Sequence, residues 1–321
     1  MRQRCRRGRR CRVQRRRGCV LRGERVRDGY DRHVPVVVKT IAGLRALISE
    51  QRAAATSAGQ IATVALVPTM GALHAGHLAL VARARAVADI VVVSIFVNPL
   101  QFTGADDLER YPRTLETDVA ALETLGVTAV FAPAASEMYP RGQVVTRVSA
   151  GDLGMRYEGR LRRGHFDAVL TVVAKLLNIT RPDTVVFGEK DAQQVFLVRR
   201  MIEELDFPVT VQSVETVRDP DGLALSSRNR FLDGAERRAA LALSRALEAA
   251  ESSGDRGSDA VIAAAQSVIS GDEIVQLDYL AIVEPKTFQS VSDGFRGKAL
   301  VLVAAQVGDT RLIDNRKIYL G

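Results

Sequence analysis

The sequence predicts an α/β protein with a doubly wound parallel sheet, followed by a smaller α+β domain. From residue 61 onward, short β-branched runs alternate with longer helical segments, as in a parallel sheet whose strands are joined by crossover helices. After about residue 217 the pattern changes to an Ala-rich pair of helices and then to further strands. We therefore expect one large domain over residues 34–216 and a smaller one over residues 217–321.

The elements of both domains can be assigned in order. In the larger domain we predict strands over residues 61–67, 90–97, 127–131, 184–187 and 209–214 and helices over 76–88, 115–125, 166–179 and 191–205. In the smaller domain we predict helices over 234–251 and 258–269 and strands over 276–283 and 299–307. The run over 90–97 is almost wholly apolar, which is typical of a strand that is buried on both faces of a sheet.

Composition and charge limit the class of protein. The chain has 321 residues, of which 47% are hydrophobic, and this is enough to bury a substantial core. No stretch approaches the run of about 18 apolar residues that a membrane helix requires, so we expect a soluble, cytoplasmic protein without a membrane partner. The net charge of +8 suggests a nucleic-acid partner, but most of that charge lies at one end of the chain.

Residues 1–33 are rich in arginine and differ from the rest of the chain. Fourteen arginines against three acidic residues give this segment a net charge of +11, so residues 34–321 are mildly acidic. The segment holds all three cysteines, Cys5, Cys11 and Cys19, and has no periodic apolar pattern. We expect a disordered extension, with a nucleic-acid-binding arm or a transit peptide as alternatives. The remaining residues have no cysteine, which excludes a disulfide framework or a cysteine nucleophile among them.

The first predicted strand is followed by a turn that contains two histidines. Residues 68–77 read Pro-Thr-Met-Gly-Ala-Leu-His-Ala-Gly-His and lie between that strand and a predicted helix. Ligands of a parallel sheet bind at the carboxyl ends of its strands, where the next helix presents free backbone N–H groups to a phosphate. His74 and His77 are three residues apart, so both side chains can lie on one helix face. Gly76 has no side chain, so a nucleotide can approach the backbone closely there. The alternative interpretation is that both histidines only cap the helix or face solvent.

A second polar segment lies where a later strand meets a helix. It reads Phe187-Gly188-Glu189-Lys190-Asp191 and should face the same crevice as the histidines. A lysine is suited to neutralise phosphate oxygens as charge moves onto a leaving pyrophosphate. In isolation the segment is equally compatible with a solvated surface turn.

A third segment, over residues 225–230, reads Leu-Ser-Ser-Arg-Asn-Arg. Paired hydroxyl groups beside an arginine form a good phosphate-binding set. A polar turn before the next helix is the alternative.

Amide side chains follow the buried strand over residues 90–97. Asn98 and Gln101 fall at its carboxyl end, where polar side chains orient small ligands. Gln101 and Gln194 can bind a hydroxy acid through its hydroxyl and carboxylate groups without adding charge, which leaves the carboxylate nucleophilic. For Asn98, a strand-terminating Asn-Pro turn is the alternative.

These motifs in combination resemble the pantothenate synthetase (pantoate–β-alanine ligase) family of the nucleotidylyltransferase superfamily. The His-x-Gly-His turn is similar to the signature of that superfamily, and residues 225–230 are similar to its mobile Lys-Met-Ser-Lys-Ser element. The likeness runs from about residue 36 to the C-terminus. The segments that follow the family's order are 67–77, 93–102, 110–113, 164–166, 187–194 and 225–230.

The resemblance implies a homodimeric ligase of pantothenate and coenzyme A biosynthesis that condenses (R)-pantoate with β-alanine. ATP is then a substrate, Mg²⁺ accompanies it, and a nucleic-acid partner is not expected. Pantoate and ATP first give a bound pantoyl adenylate and pyrophosphate, after which the β-alanine amine displaces AMP. The resemblance also implies that residues 34–216 form a Rossmann-like domain of nucleotidylyltransferase type for ATP and pantoate, and that residues 217–321 form a lid.

The resemblance assigns catalytic and ATP-binding roles to individual residues. His74, His77 and Lys190 are expected to act in catalysis, with His77 as a proton donor. The residues expected to bind ATP are Met70, Gly71, Ala72, Leu73, His74, Ala75, Gly76, His77, Gly188, Glu189, Lys190, Asp191, Val217, Leu225, Ser226, Ser227 and Arg228.

Roles for the acid and the metal also follow from the resemblance. Gln101, Gln194 and Asn98 are expected to bind substrate. Where relatives carry adjacent acidic residues, this chain has Thr117-Asp118, so Asp118 is the candidate metal ligand. We expect Mg²⁺ to be held mainly by phosphates and water.

Two other functions stay open on the sequence alone. One is a nucleotidylyltransferase that adenylylates a phosphorylated acceptor and stops at that product. It would need cations to bind the acceptor, at the positions where this chain has the neutral amides of Gln101 and Gln194. A nucleic-acid-binding protein led by residues 1–33 would bind DNA in a salt-sensitive way that is lost when that segment is removed.

Overall fold

A parallel sheet and a smaller antiparallel sheet form the framework of the computed structural model. It describes residues 34–102, 105–142 and 144–321, without the side chains of residues 105–107. The Arg-rich segment over residues 1–33, for which we predicted disorder, lies outside the described residues. Within those ranges, none of the helices combines the length and the apolar character needed to cross a membrane.

Six parallel strands form the larger sheet, in the spatial order β1-β4-β3-β2-β5-β6. These strands are β1 (Val36–Val38), β2 (Val64–Thr69), β3 (Ile90–Ile95), β4 (Ala129–Phe131), β5 (Thr184–Gly188) and β6 (Thr210–Val214). From β2 the chain first adds β3 and β4 on one side and later adds β5 and β6 on the other. The carboxyl ends of β2 and β5 therefore flank the switch point, where a doubly wound sheet leaves a crevice for ligands.

Helices cover both faces of this sheet. The helices of the larger domain are α1 (Ile41–Ser57), α2 (Ala75–Val87), α3 (Ala105–Arg110), α4 (Leu115–Leu122), α5 (Ala135–Met138), α6 (Glu158–Leu161), α7 (His165–Thr180) and α8 (Ala192–Glu204). One core contains residues of α1, α7 and α8, and the core on the opposite face contains residues of α2 and α4. Alternate residues of β2 and β3 enter the two cores, which explains why these strands are continuously apolar.

The C-terminal residues form a three-stranded antiparallel sheet, in the order β7-β8-β9, with two helices on one face. The bounds are α9 (Gly234–Ser252), α10 (Ser258–Ile269), β7 (Val275–Val283), β8 (Gly297–Val307) and β9 (Thr310–Leu320). A capping box starts α9: the Asp233 carboxylate accepts the N–H of Glu236 (2.8 Å), and the Glu236 carboxylate accepts the N–H of Asp233 (2.9 Å).

The other face of the C-terminal sheet packs against the larger domain. The Phe288 ring lies edge-on to Tyr157, with 5.9 Å between centroids, and 5.0 Å from the Phe196 ring on α8. Arg311 on β9 makes a bidentate ion pair with Glu158 on α6, at 2.7 and 2.8 Å. Burial alone would raise the pKa of Glu158, but its hydrogen bonds and ion pair with Arg311 outweigh burial and lower that pKa. Apolar contacts and an ion pair thus hold β9 near the carboxyl edge of the parallel sheet.

Candidate active site

The candidate site surrounds the switch point between β2 and β5. Two adjacent cavities of about 240 and 590 Å³ lie there, within the range of small-molecule sites. His74 and His77 line the smaller cavity, and Lys190, Gln194 and Arg228 line both. The fold therefore brings together predicted residues from three separate segments.

His74 and His77 form a reciprocal cap at the start of α2. The backbone N–H of Gly76 donates to Nδ1 of His74 (3.2 Å), and the N–H of His74 donates to Nδ1 of His77 (3.3 Å). A ring nitrogen that accepts a hydrogen bond carries no proton, so the proton of each neutral ring lies on Nε2. Both histidines therefore cap the helix through their Nδ1 atoms, as the alternative interpretation holds. Both side chains also line the smaller cavity.

Both histidine rings are neutral at physiological pH. Burial, the neighbouring His74 and the positive charge of Lys190 lower the pKa of His77 to about 3. Burial and Lys190 also lower the pKa of His74. Each ring is therefore suited to donate a hydrogen bond from Nε2–H while keeping its proton. The role of His77 as a proton donor stays a prediction, and a neutral ring with its proton on Nε2 can act there as a hydrogen-bond donor.

Lys190 lies in a 3₁₀ turn, Glu189–Asp191, that directly follows β5. Its side chain lines both cavities, and among the described residues its ammonium group has no hydrogen-bond or ion-pair partner. The Glu189 carboxylate instead accepts from the Ser213 hydroxyl (2.9 Å) and pairs with Lys317 (2.7 Å), and Glu189 does not line either cavity. An unpaired ammonium beside two neutral N–H donors is suited to bind phosphate oxygens.

The segment over residues 225–228 lines the same cavity as the histidines. Ser226, Ser227 and Arg228 line both cavities, and the Ser226 hydroxyl accepts the N–H of Arg228 (3.3 Å). The guanidinium of Arg228 has no hydrogen bond or ion pair with any residue that the structure describes. The N–H of Leu225 donates to the carbonyl oxygen of Val217 (3.0 Å), so these two predicted ATP-binding positions are neighbours.

Asn98 is wholly buried and orients Gln101. Its Oδ1 accepts the N–H of Leu100 (3.3 Å) and the hydroxyl of Tyr139 (2.9 Å), while its Nδ2 donates to the carbonyl of Ala168 (3.4 Å) and to Oε1 of Gln101 (2.9 Å). The two backbone groups have fixed polarity, so they determine which end of each amide donates. Gln101 therefore keeps its NH₂ group available to a ligand in the smaller cavity. The polar atoms of Asn98 are paired with these groups, and its direct contact with substrate stays a prediction.

Two consecutive glutamines differ in whether their side chains are free to bind a ligand. Gln194 lines both cavities, and its side-chain amide has no hydrogen bond with the described residues. Gln193 is buried, and its amide donates to the carbonyl oxygens of Leu153 (2.8 Å) and Arg156 (3.0 Å). Only Gln194 is therefore available to bind a substrate through its side chain.

The Asp118 carboxylate binds the turn that follows β2, and its role as a metal ligand stays a prediction. Its carboxylate accepts the backbone N–H groups of Ala72 (3.0 Å) and Leu73 (2.8 Å) and the hydroxyl of Thr114 (3.2 Å). A Cβ atom at Gly71, whose φ is +84°, would lie 3.0 Å from this carboxylate. Nowhere in the described ranges do three His, Cys, Asp or Glu residues form a group that could hold a metal. Mg²⁺ held by nucleotide phosphates and water is compatible with this result.

Other predicted ATP-binding residues shape the turn without lining a cavity. These residues are Gly71, Ala72, Leu73 and Ala75.

Three residues without a predicted role line both cavities: Tyr111, Arg162 and His165. The His165 Nδ1–H donates to the carbonyl oxygen of Gln101 (3.1 Å), and Arg162 donates to the same oxygen (3.3 Å). Burial and Arg162 lower the pKa of His165 to about 4. Tyr111 and His165 fall in segments 110–113 and 164–166 of the family resemblance, which could have identified them as site residues.

The fold and the crevice define an α/β enzyme that binds nucleotide phosphates beside a small polar substrate. A family model described as pantoate-beta-alanine ligase matches residues 36–317. The chain belongs to this family.

Individual relatives agree over most of their length. The pantothenate synthetase of Leifsonia xyli subsp. xyli is 55% identical over 284 residues, which cover 87% of this chain and 99% of that protein. The pantothenate synthetase structure from Thermus thermophilus superposes with a TM-score of 0.81 at 45% identity, covering 88% of this chain and 99% of that one. The pantoate-beta-alanine ligase of Francisella tularensis, solved with beta-gamma ATP and beta-alanine, has a TM-score of 0.71 at 31% identity, with coverages of 88% and 97%.

Proposed function

We propose that this chain is an ATP-dependent ligase that condenses (R)-pantoate with β-alanine to give pantothenate, AMP and pyrophosphate. Family membership supports the overall reaction. One observation carries the chemistry: two neutral histidines, an unpaired lysine and two amides converge on one crevice at the switch point. A relative with the same fold was solved with an ATP compound and β-alanine, which supports ATP as the substrate here.

In the first half-reaction, an oxygen of the pantoate carboxylate bonds to the α-phosphorus of ATP, and the bond to pyrophosphate breaks. Negative charge then accumulates on the departing pyrophosphate oxygens. The Nε2–H groups of His74 and His77 and the ammonium of Lys190 can donate to these oxygens. Because the imidazoles are neutral and keep their protons, the pyrophosphate leaves as an anion.

Neutral amides are available to bind pantoate. The NH₂ group of Gln101 and the amide of Gln194 can bind the hydroxyl and carboxylate of pantoate. Cations in the place of these two amides would lower the nucleophilicity of the carboxylate. Two neutral amides therefore suit the first half-reaction, and the same pocket holds the adenylate for the second.

In the second half-reaction, the uncharged amine of β-alanine attacks the carbonyl carbon of the anhydride. The C–N bond forms, the bond to AMP breaks, and the amine nitrogen loses a proton. This step depends mainly on holding the amine close to the carbonyl carbon. The residues that stabilise pyrophosphate are not needed for it.

Formation of AMP tests the proposal directly. AMP should appear from ATP only when both pantoate and β-alanine are present, and pantothenate should appear in equal amount. Pyrophosphate release that depends on a phosphorylated acceptor, and not on pantoate, would instead favour a nucleotidylyltransferase.

Gln194→Ala should impair the use of pantoate selectively. The loss of a hydrogen bond to a buried substrate group costs about 1 to 3 kcal/mol, so the KM for pantoate should rise by about 5- to 150-fold. The KM for ATP should change by less than about twofold, since the phosphates contact other residues. Steady-state kinetics with each substrate varied in turn measures both values.

Gln193→Ala is the matched control for this experiment. Gln193 lines the larger cavity, but its side chain is engaged by backbone groups, so the variant should lose thermal stability without a selective effect on pantoate. Equal losses for pantoate and ATP in the Gln194 variant would contradict the pantoate pocket.

The remaining expectations from the resemblance stay predictions. They are Mg²⁺ dependence, a homodimer, a cytoplasmic location, and the division into a nucleotide- and pantoate-binding domain over residues 34–216 and a lid over residues 217–321.

A further inference from the structure

Asn315 on β9 contacts the turn that carries Lys190. Its Nδ2 group donates to the carbonyl oxygen of Glu189 (2.9 Å) and to that of Lys190 (2.8 Å). The residue is only 9% exposed, so water competes little for these bonds. One amide that binds two consecutive carbonyl groups restrains both peptide planes, and thereby the direction in which the Lys190 side chain leaves the backbone.

Asn315 is itself held in place by its neighbours on β9. Its backbone N–H donates to Oδ1 of Asp314 (2.7 Å), and the buried Asp314 carboxylate makes a bidentate ion pair with Arg218 (2.6 and 2.9 Å). Two residues further along β9, Lys317 pairs with Glu189 on the same turn (2.7 Å). The strand therefore contacts the lysine turn at its backbone, through Asn315, and at the Glu189 side chain, through the more exposed Lys317.

We propose that Asn315 is a positioning residue for Lys190. From the C-terminal sheet it fixes the backbone of the turn after β5, so that the lysine ammonium is directed into the crevice. The inference rests on the proposed function of Lys190 in adenylation. It assigns the C-terminal sheet a part in building the catalytic site, in addition to any role in covering it.

Asn315→Ala should slow adenylation and spare the second half-reaction. A catalytic group that is displaced by about 1 Å can lose up to about 100-fold in rate, so we expect single-turnover pyrophosphate formation to fall by about 10- to 100-fold. Conversion of supplied pantoyl adenylate and β-alanine to pantothenate should stay within about threefold of wild type. Asn315→Asp, which keeps the size of the side chain but replaces the NH₂ donor by an acceptor, should show the same pattern and serves if the alanine variant does not fold.

Gln306→Ala is the matched control. Gln306 lies on β8 of the same sheet, and its amide also donates to a backbone carbonyl, that of Gly308 (3.2 Å), away from the lysine turn. Both half-reactions of this variant should proceed at the wild-type rate.

A double-mutant cycle with Lys190→Ala separates positioning from general stability. If Asn315 acts through the lysine, adding Asn315→Ala to Lys190→Ala should slow adenylation no further. Two results would show that Asn315 is merely structural and would overturn the inference. One is a double variant whose loss in adenylation rate is the product of the two single losses, and the other is an equal loss in both half-reactions of Asn315→Ala. Normal adenylation by both Asn315 variants, with Lys190→Ala inactive, would overturn the inference and leave the proposed function intact. Normal adenylation by Lys190→Ala would overturn the proposed role of the lysine, and the inference with it.

Discussion

Lys190→Ala should abolish pyrophosphate formation from pantoate and ATP, yet still convert supplied pantoyl adenylate and β-alanine to pantothenate. A charged donor aimed at the developing charge of a transition state is typically worth about 10² to 10³ in rate, and the Lys190 ammonium is an unpaired cation in the cavity that the two histidines line. Attack by the amine releases AMP and produces no pyrophosphate, so its rate should stay within about tenfold of wild type. Rapid-quench measurement of each half-reaction gives both rates.

Lys317→Ala is the matched control for the lysine. Its ammonium pairs with Glu189 of the same turn, but the side chain is 66% exposed and does not line either cavity. This variant should adenylate within about twofold of wild type, since exposed ion pairs contribute little. A Lys190 variant that adenylates normally but fails with the supplied adenylate would place the lysine at the amine site instead.

His77→Asn should lose about 10² to 10³ in the rate of adenylation while keeping most of the stability of the protein. The amide oxygen of asparagine can replace Nδ1 as the acceptor of the His74 N–H, but asparagine has no donor at the position of Nε2. His77→Ala should lose both the rate and the helix cap, with a cost to the free energy of unfolding of about 1 kcal/mol. Single-turnover kinetics and thermal melts of the two variants separate the two functions of this ring. A His77→Asn variant that adenylates as fast as wild type would remove His77 from the catalytic set.

The pH dependence should show that His77 acts as a neutral group. Because its pKa is lowered to about 3, the rate of adenylation should show no inflection near pH 6.5. The unfolded chain, with the ordinary pKa of 6.5, binds more protons than the folded one between these two values. Stability should therefore fall as the pH drops below 6.5, by up to about 1.4 kcal/mol per pH unit, and His77→Asn should reduce that slope. A rate that rises as the pH falls through 6.5 would indicate an imidazolium acid.

The sequence predicts the site best where the functional residues lie in a turn that directly follows a buried strand. The turn with His74 and His77 and the turn with Lys190 each come after a run that is apolar enough to be recognised as a buried strand, so their meeting at the sheet edge was predictable. β1 was not predicted, since three residues are too few to show a period. The helix α1 and the bounds of β9 were also not assigned.

Two of the predicted site residues have structural roles that the sequence did not reveal. Asp118 and Asn98 are polar residues near the site, but each is buried and satisfied by partners that only the folded chain brings together. For Asp118 the decisive partners lie in a turn about 45 residues earlier in the chain. Asn315 shows the converse case, because its contact with Lys190 spans 125 residues and leaves no local pattern in the sequence.

The reciprocal cap of the two histidines also limits how their rings can turn. Rotation of either imidazole by half a turn would move Nδ1 away from the backbone N–H whose hydrogen bond it accepts, and would break one of the two capping hydrogen bonds at the start of α2. Ordering a mobile side chain on binding costs about 0.5 to 1.5 kcal/mol, and here that ordering has already occurred during folding. The Nε2–H donors of the two histidines should therefore have the same orientation with and without the nucleotide. Little side-chain rotational entropy should be lost from this turn when the nucleotide binds.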